Sequence, residues 1–211
     1  MHPDLTAQGV KTFTGGELQT NSFLIPSPGG NILVDAPQGS AKEYRDIPIG
    51  MLFLTHGHFD HAWDAAEIAK SHDCPVAMHP DTERLLADRG LLRRLGIDLE
   101  IEPVSAGVTI SEEGALSLLG KDFRVFHVPG HCPGSLCLLD EGAGLLYGGD
   151  VLFAGGVGRW DLPGGDRDLL IGGIRSKLLP LPDPTLVCPG HGPATTIGRE
   201  RVSNPYLQNG F

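Results

Sequence analysis

Short apolar runs that end in a polar residue or a glycine recur along this chain, and they predict strands. The first two lie over residues 11–19 and 21–25, turned by Gly15-Gly16 or by Thr20-Asn21, and a third covers 31–35, ending at Asp35. Residues 51–55 carry Met51-Leu52-Phe53-Leu54, an unbroken apolar run that reads as a buried strand, and a further short strand covers 75–78. The pattern then changes to a helical period. Ala65, Ala66, Ile68 and Ala69 mark the apolar side of a helix over 62–71. Leu85, Leu86, Leu92 and Leu95 form the buried stripe of one amphipathic helix over 81–95, with Asp81 as its cap and Arg84, Arg89, Arg93 and Arg94 on the solvated face. Strands return at 123–128, 135–139 and 145–147, the last two as a hairpin across 140–144. A helix over 167–179 and a last strand over 185–188 follow. Strand clusters separated by helices predict a layered α/β protein.

The stretch after the fourth strand holds the chemistry. Thr55-His56-Gly57-His58-Phe59-Asp60-His61 places three histidines and an aspartate between a strand end and a helix start, where a rigid scaffold aims side chains. Side chains at i and i+2 of an extended segment point the same way, so His56 and His58 can grip one ion. Asp60 and His61 follow where the chain turns, and can face a second. Imidazole with carboxylate suits zinc, iron or manganese. Further donors appear downstream: His131 in Pro129-Gly130-His131, Asp150 in Gly148-Gly149-Asp150, and His191 in Pro189-Gly190-His191-Gly192. Each follows an apolar run and is preceded by glycine, which predicts a strand-end turn. His2, His72, His79 and His127 are left outside this set.

With these residues the chain, from Asn21 to Leu207, closely resembles the metallo-β-lactamase superfamily, whose signature is HxHxDH followed by distant His, Asp and His. All seven positions are filled. The resemblance implies an αββα sandwich of two mixed β-sheets with outer helices. It also implies that His56, His58 and His131 bind one divalent ion, Asp60, His61 and His191 a second, and Asp150 bridges them. Zinc is the favoured pair, with iron or manganese compatible. A metal-bridging hydroxide would attack a carbonyl, with Asp60 orienting it or moving its proton, and Asp35 would order the ligand loop. Residues 149–153, 157–166 and 190–201 look like the short bacterial glyoxalase-II-like hydrolases, which cleave thioesters such as S-lactoylglutathione. Arg159 is the candidate for an anionic substrate group. Full-length glyoxalase II carries a C-terminal helical domain that grips glutathione. Only 20 residues follow His191 here (211 − 191), so a single domain over 1–211 is expected, with thioester hydrolysis better supported than glutathione as the carrier.

Bulk properties narrow the alternatives. With 211 residues, 40% of them hydrophobic, the chain can bury a sizeable core. A net charge of −10 argues against a nucleic-acid partner, since phosphate binding needs clustered cations. No apolar run is long enough to cross a bilayer. The start lacks a basic then apolar leader, so a cytoplasmic location is expected, with Cys74, Cys132, Cys137 and Cys188 as free thiols. The competing activities on this fold are a mononuclear iron persulfide dioxygenase and a lactonase-type hydrolase. The glycine after His191 favours hydrolysis over the dioxygenase, whose last histidine tends to sit in a PAHDY-like context. The missing leader, with Asp60 and Asp150 at positions typical of the hydrolase branch, disfavours a β-lactamase.

Overall fold

The computed structural model describes residues 5–94 and 96–208. In the central strands of each sheet neighbouring side chains point to opposite faces and both faces are buried, so the middle of each sheet is covered on both sides, while the outer strands expose alternate residues. The first sheet runs in chain order: β1 (Lys11–Gly15), β2 (Thr20–Ser27), β3 (Gly30–Val34), β4 (Ile49–Phe53), β5 (Val76–Met78) and β6 (Val108–Thr109). Its first three strands are antiparallel and the rest parallel. The chain then forms β7 (Gly114–Leu118), β8 (Lys121–His127), β9 (Leu136–Asp140), β10 (Leu145–Gly149), the small pair β11 (Leu152–Phe153) and β12 (Gly156–Val157), β13 (Leu186–Pro189) and β14 (Thr195–Thr196). The second sheet has the order β14-β13-β10-β9-β8-β7, with β10 and β13 parallel and the others antiparallel.

The two sheets pack face to face. Ile32, Val34, Met51 and Phe53 of the first meet Leu136, Leu138, Leu145 and Tyr147 of the second. The alternate residues point outward onto helices. Leu33 and Leu52 contact Ala65 and Ile68 of the helix Ala65–His72, while Cys137, Leu139 and Leu146 meet Leu170, Ile171 and Ile197. The architecture is therefore the αββα sandwich expected.

Several elements depart from the expectation. The helix anticipated over 62–71 is two, Phe59–Ala62 and Ala65–His72, so Asp60 and His61 lie within a first short turn. The helix over 81–95 is broken: Pro80–Ala87 is followed by Leu91–Arg94. Its cap is His79, which accepts a hydrogen bond from the Asp81 amide, not Asp81 itself. Of its leucine stripe only Leu86 is buried; Leu85 and Leu92 are half-exposed, and Leu95 lies outside the described residues, as do residues 1–4. The helix over 167–179 begins as Arg167–Gly173 and continues with the wider π winding over Ile174–Leu178. Two helices without a strong periodic signal, Ser40–Glu43 and Ile197–Ser203, were not anticipated. All four cysteines are buried free thiols. Burial pushes Cys137 and Cys188 up to about 12, so neither is a thiolate at neutral pH.

Candidate metal centre

Donors from both sheets converge at one edge of the sandwich. His56 and His58 follow β4, His131 follows β8, Asp150 follows β10 and His191 follows β13. Because β10 and β13 are parallel neighbours with Gly149 opposite Pro189, Asp150 and His191 leave the sheet side by side. The Gly190 amide donates to the Gly149 carbonyl at 2.8 Å. Gly190 is required by this approach: a Cβ there would lie 2.5 Å from His61 Cε1 and closer still to Asp150 Oδ1. The first sheet is sewn to the same edge. Asn21 donates from its amide to the Gly190 carbonyl (2.7 Å), and from Nδ2 to the carbonyls of Pro189 (3.0 Å) and Gly192 (2.9 Å).

Two donor groups result, joined by Asp150. His56 Nε2 lies 3.1 Å from His58 Nδ1 and 3.2 Å from His131 Nε2. Asp60 Oδ2 lies 3.5 Å from His61 Nε2 and 3.3 Å from His191 Nε2. Asp150 reaches both groups, with Oδ1 3.2 Å from His61 Nε2, and Oδ2 3.5 Å from His131 Nε2 and 3.3 Å from His191 Nε2. Three His/carboxylate triads could each hold an ion: His56-His58-His131, His56-His61-Asp150 and Asp60-His61-His191.

The outer nitrogens explain why the inner ones are free to bind. His131 Nδ1 donates to the Arg159 carbonyl (2.8 Å) and His191 Nδ1 to the Leu18 carbonyl (3.0 Å). Asp35 is buried at φ 58°, a left-handed conformation that aspartate tolerates better than most residues. Its carboxylate accepts from the Thr55 amide (2.8 Å), the Thr55 hydroxyl (2.8 Å) and His61 Nδ1 (2.7 Å). Having donated to Asp35, the Thr55 hydroxyl is left to accept from His56 Nδ1 at 3.1 Å. In each case the outward partner engages Nδ1, which leaves Nε2 as the inward atom that an ion would take.

Electrostatics separate the two groups. Burial, then the neighbouring His61, His58 and His131, hold His56 well below the usual imidazole range. Burial, then His131, bring His58 down to about 3, and burial lowers His131 as well. Burial also opposes charge on His61 and His191, but there the carboxylates win. Asp150, Asp35 and Asp60 raise His61 well above its ordinary value, and contacts with Asp150 and Asp60 take His191 up to about 10. Burial would raise the carboxyls of Asp60 and Asp150, yet His61 and then His191 outweigh it. Asp60 falls to about 2 and Asp150 well below the carboxylate range. Protons on His61 and His191 thus stand where a cation belongs.

The donor set fits a pair of divalent ions. Buried carboxylates need compensating charge. His61 Nε2 and Asp150 Oδ1 are both buried and face each other without a hydrogen bond to satisfy either.

Arg159 lines the cavity over this cluster, but its guanidinium is held by both oxygens of Asp161, at 2.7 and 2.8 Å. His79 and His127 lie apart from the seven. They stack at 4.4 Å, and His127 Nε2 donates to the Pro133 carbonyl in the loop that carries His131. Sequence reasoning missed Thr20, whose hydroxyl donates to Asp60 Oδ2 at 2.7 Å, and the carbonyls of Leu18 and Arg159, which carry no side-chain signal. The cavity measures about 710 Å³ and reaches His58, Asp60, His131, Asp150 and His191. Among the described residues no helix is long and apolar enough to cross a membrane.

The sequence profile described as the metallo-beta-lactamase superfamily matches residues 15–191. The chain is similar to hydroxyacylglutathione hydrolase GloC of Haemophilus influenzae, at 35% identity over 90% of this chain and 94% of that protein. Two solved structures are also similar. The BLEG-1 B3 metallo-beta-lactamase has a TM-score of 0.87 at 34% identity, covering 95% of this chain and all of that one. TTHA1623 in a di-iron-bound form has a TM-score of 0.83 at 36% identity, covering 93% of this chain and all of that one.

Proposed function

The chain belongs to the metallo-beta-lactamase superfamily, a family of metal-dependent hydrolases, and from that premise we propose that it is a binuclear hydrolase of thioesters, of the glyoxalase II type, carried by one domain over residues 1–211. The observation that supports this most is the convergence of seven donors on two adjacent points, with Asp150 reaching both. His56, His58 and His131 would hold one ion, and Asp60, His61 and His191 the other, zinc or, as in the di-iron relative, iron. When bound, such a pair supplies a water of lowered pKa and positive charge for the carbonyl oxygen.

The chain's own residues do the rest. Asp35, Thr55 and the Leu18 and Arg159 carbonyls engage Nδ1 of His61, His56, His191 and His131, so that in each ring Nε2 is the atom turned inward for an ion. Asp60 takes its hydrogen bond from Thr20 on Oδ2; Oδ1 is the atom left to accept a proton from the attacking water. The water oxygen bonds to the acyl carbon, the C–S bond breaks with its electron pair going to sulfur, and the proton taken by Asp60 passes to that sulfur, so that acid and thiol are released. Leu18, Phe59 and Leu92 line the cavity above.

The test offers metal-loaded protein S-lactoylglutathione and glutathione persulfide separately, with an oxygen electrode running. Thiol release from the thioester with a flat oxygen trace supports the hydrolase. Oxygen uptake with the persulfide and no thiol from the thioester would move the chain to the dioxygenase reading. The similarity to the B3 enzyme favours β-lactam hydrolysis as the second reading. It would prevail if a chromogenic cephalosporin were turned over while the thioester was not.

A further inference from the structure

Leu85 and Leu92 repeat with the spacing of a buried helix stripe, yet both are only partly buried and neither joins a core cluster: they line the cavity over the candidate metal centre. Leu18 and Ile97, 53% and 36% exposed, stand in the same cavity, with Phe59 and Leu99. A soluble chain rarely leaves so much contiguous apolar surface uncovered, unless something else buries it. Here the surface is concave, within the range of about 300–1,000 Å³ usual for ligand pockets, and it ends on the residues that would activate water. Charge is sparse by comparison. Arg159 is taken by Asp161, Asp88 by Arg94 and Glu100 by Arg93. Arg89 is the one cation of the lining that has no carboxylate partner among the described residues. A second hollow of about 300 Å³ shares Leu18, Phe59, Asp60, Ile97 and Leu99 with the first. Besides Asp60, its charged lining residue is Glu17, so it offers nothing to an anionic carrier.

We propose, resting on the thioester reading, that this enzyme acts on thioesters with an apolar acyl chain, and that its selectivity lies in that chain rather than in glutathione. The larger cavity takes the acyl chain and the smaller hollow the thiol arm, with the carbonyl between them at Asp60. Water adds to the acyl carbon as above, giving a medium-chain carboxylic acid and a free thiol, with no further reactant. Each methylene buried in the cavity should raise kcat/KM about fourfold until the wall is reached. Dicarboxylate carriers such as glutathione should gain little, because a single free cation cannot pair both ends.

The experiment measures kcat/KM of metal-loaded protein for acetyl, butyryl, hexanoyl and octanoyl thioesters of N-acetylcysteamine, beside S-lactoylglutathione. In parallel, calorimetry measures binding of the uncleavable S-methyl and S-octyl thioethers of N-acetylcysteamine and of glutathione. The expected result is a gain of at least about a hundredfold from acetyl to octanoyl. The octyl thioethers should bind tighter than the methyl ones whichever carrier is used, and Leu92→Gln should shrink the octanoyl-to-acetyl ratio. Flat or falling rates with chain length, with S-lactoylglutathione the best substrate, would overturn the proposal and leave the thioester reading intact. If no thioester is cleaved but octyl thioethers still bind tighter, the thioester reading fails while the apolar site stands. Equal binding of methyl and octyl forms would end both parts of the inference.

Discussion

Replacing Asp35 by asparagine changes one atom type at a buried site and tests how the ligand loop is ordered. Asparagine tolerates the left-handed backbone at this position, φ 58°, as aspartate does, and fills the same volume. The carboxylate now accepts from the Thr55 amide, the Thr55 hydroxyl and His61 Nδ1. An amide keeps the first bond with its oxygen. Its NH2 then faces two donors, and both must reverse. The hydroxyl of Thr55 can rotate, but it would then point its proton at His56 Nδ1. His61 can accept from the amide only by moving its own proton to Nε2, the atom aimed at Asp150 and Asp60. A hydrogen bond to a charged partner contributes about 1.5–3 kcal/mol, which is roughly 10- to 150-fold in affinity. The direct loss falls on the ion proposed for Asp60, His61 and His191, and loss of outer partners of metal-bound histidines typically costs about 10–100-fold. Competition against a chromophoric chelator should therefore give a second ion bound at least about tenfold more weakly in Asp35→Asn, with the circular-dichroism spectrum unchanged. Second-ion affinity within threefold of wild type, in a folded variant, would refute the tautomer argument.

Further outcomes are expected. Elemental analysis of protein loaded with zinc and desalted should approach two ions per chain, and a value of one that added metal does not change would remove the second site. Asp150→Ala should lose more than the roughly hundredfold expected of an outer partner, since it touches both donor groups, whereas His72→Ala, at the far end of the helix Ala65–His72, should stay near wild type in kcat/KM. Gly190→Ala should lower kcat/KM by about a hundredfold and reduce bound metal, because the new Cβ displaces His61 and Asp150; full metal content would contradict the close approach. In metal-free protein, His191 is held up to about 10 against an ordinary 6.5. The folded state therefore keeps a proton that the unfolded state releases in that window. The stability from this group is complete below about pH 6.5 and is lost as pH rises through about 10. Thermal unfolding of chelated protein from pH 6.5 to 9.5 should show a falling Tm, with a smaller fall once ions occupy the nitrogen; a rising Tm in the chelated protein would refute it.

The convergence of the seven candidate donors was legible because most of them sit just beyond a strand end. His56, Asp150 and His191 each follow an apolar run, and Gly149 and Gly190 allow close approach there, so residue type and position carried the same message. The acceptors that set the histidine tautomers were not legible. Leu18 and Arg159 act through main-chain carbonyls, which every residue has, and only the fold decides which carbonyl faces a ring. Thr20 was visible as a turn residue, but its contact with Asp60 spans 40 positions. His127, outside the expected donor set, lies apart from the seven and bonds to the Pro133 carbonyl in the loop carrying His131.

The broken helix is the most instructive difference. A period of three to four between leucines reports only that one side of a segment meets something apolar. It does not say whether that something is the protein's own core. Over 81–95 the pattern is continuous, but the chain turns at Asp88-Arg89-Gly90, where the Gly90 amide donates to Asp88 Oδ1 at 3.2 Å. Beyond that turn Leu91 and Leu92 line the same cavity as Leu85. Leu86 alone reaches the core packed against the first sheet. The leucines left over enclose the space above His58 and Asp60. Apolar surface there carries a cost in water of about 25 cal/mol for each Å², and burying it under a chain-derived cover would close the route to the metal centre. On the proposal of an acyl-binding cavity, the mismatch between the stripe and the core is the mark a ligand-facing wall leaves in a sequence: helical periodicity without a helix partner to bury it.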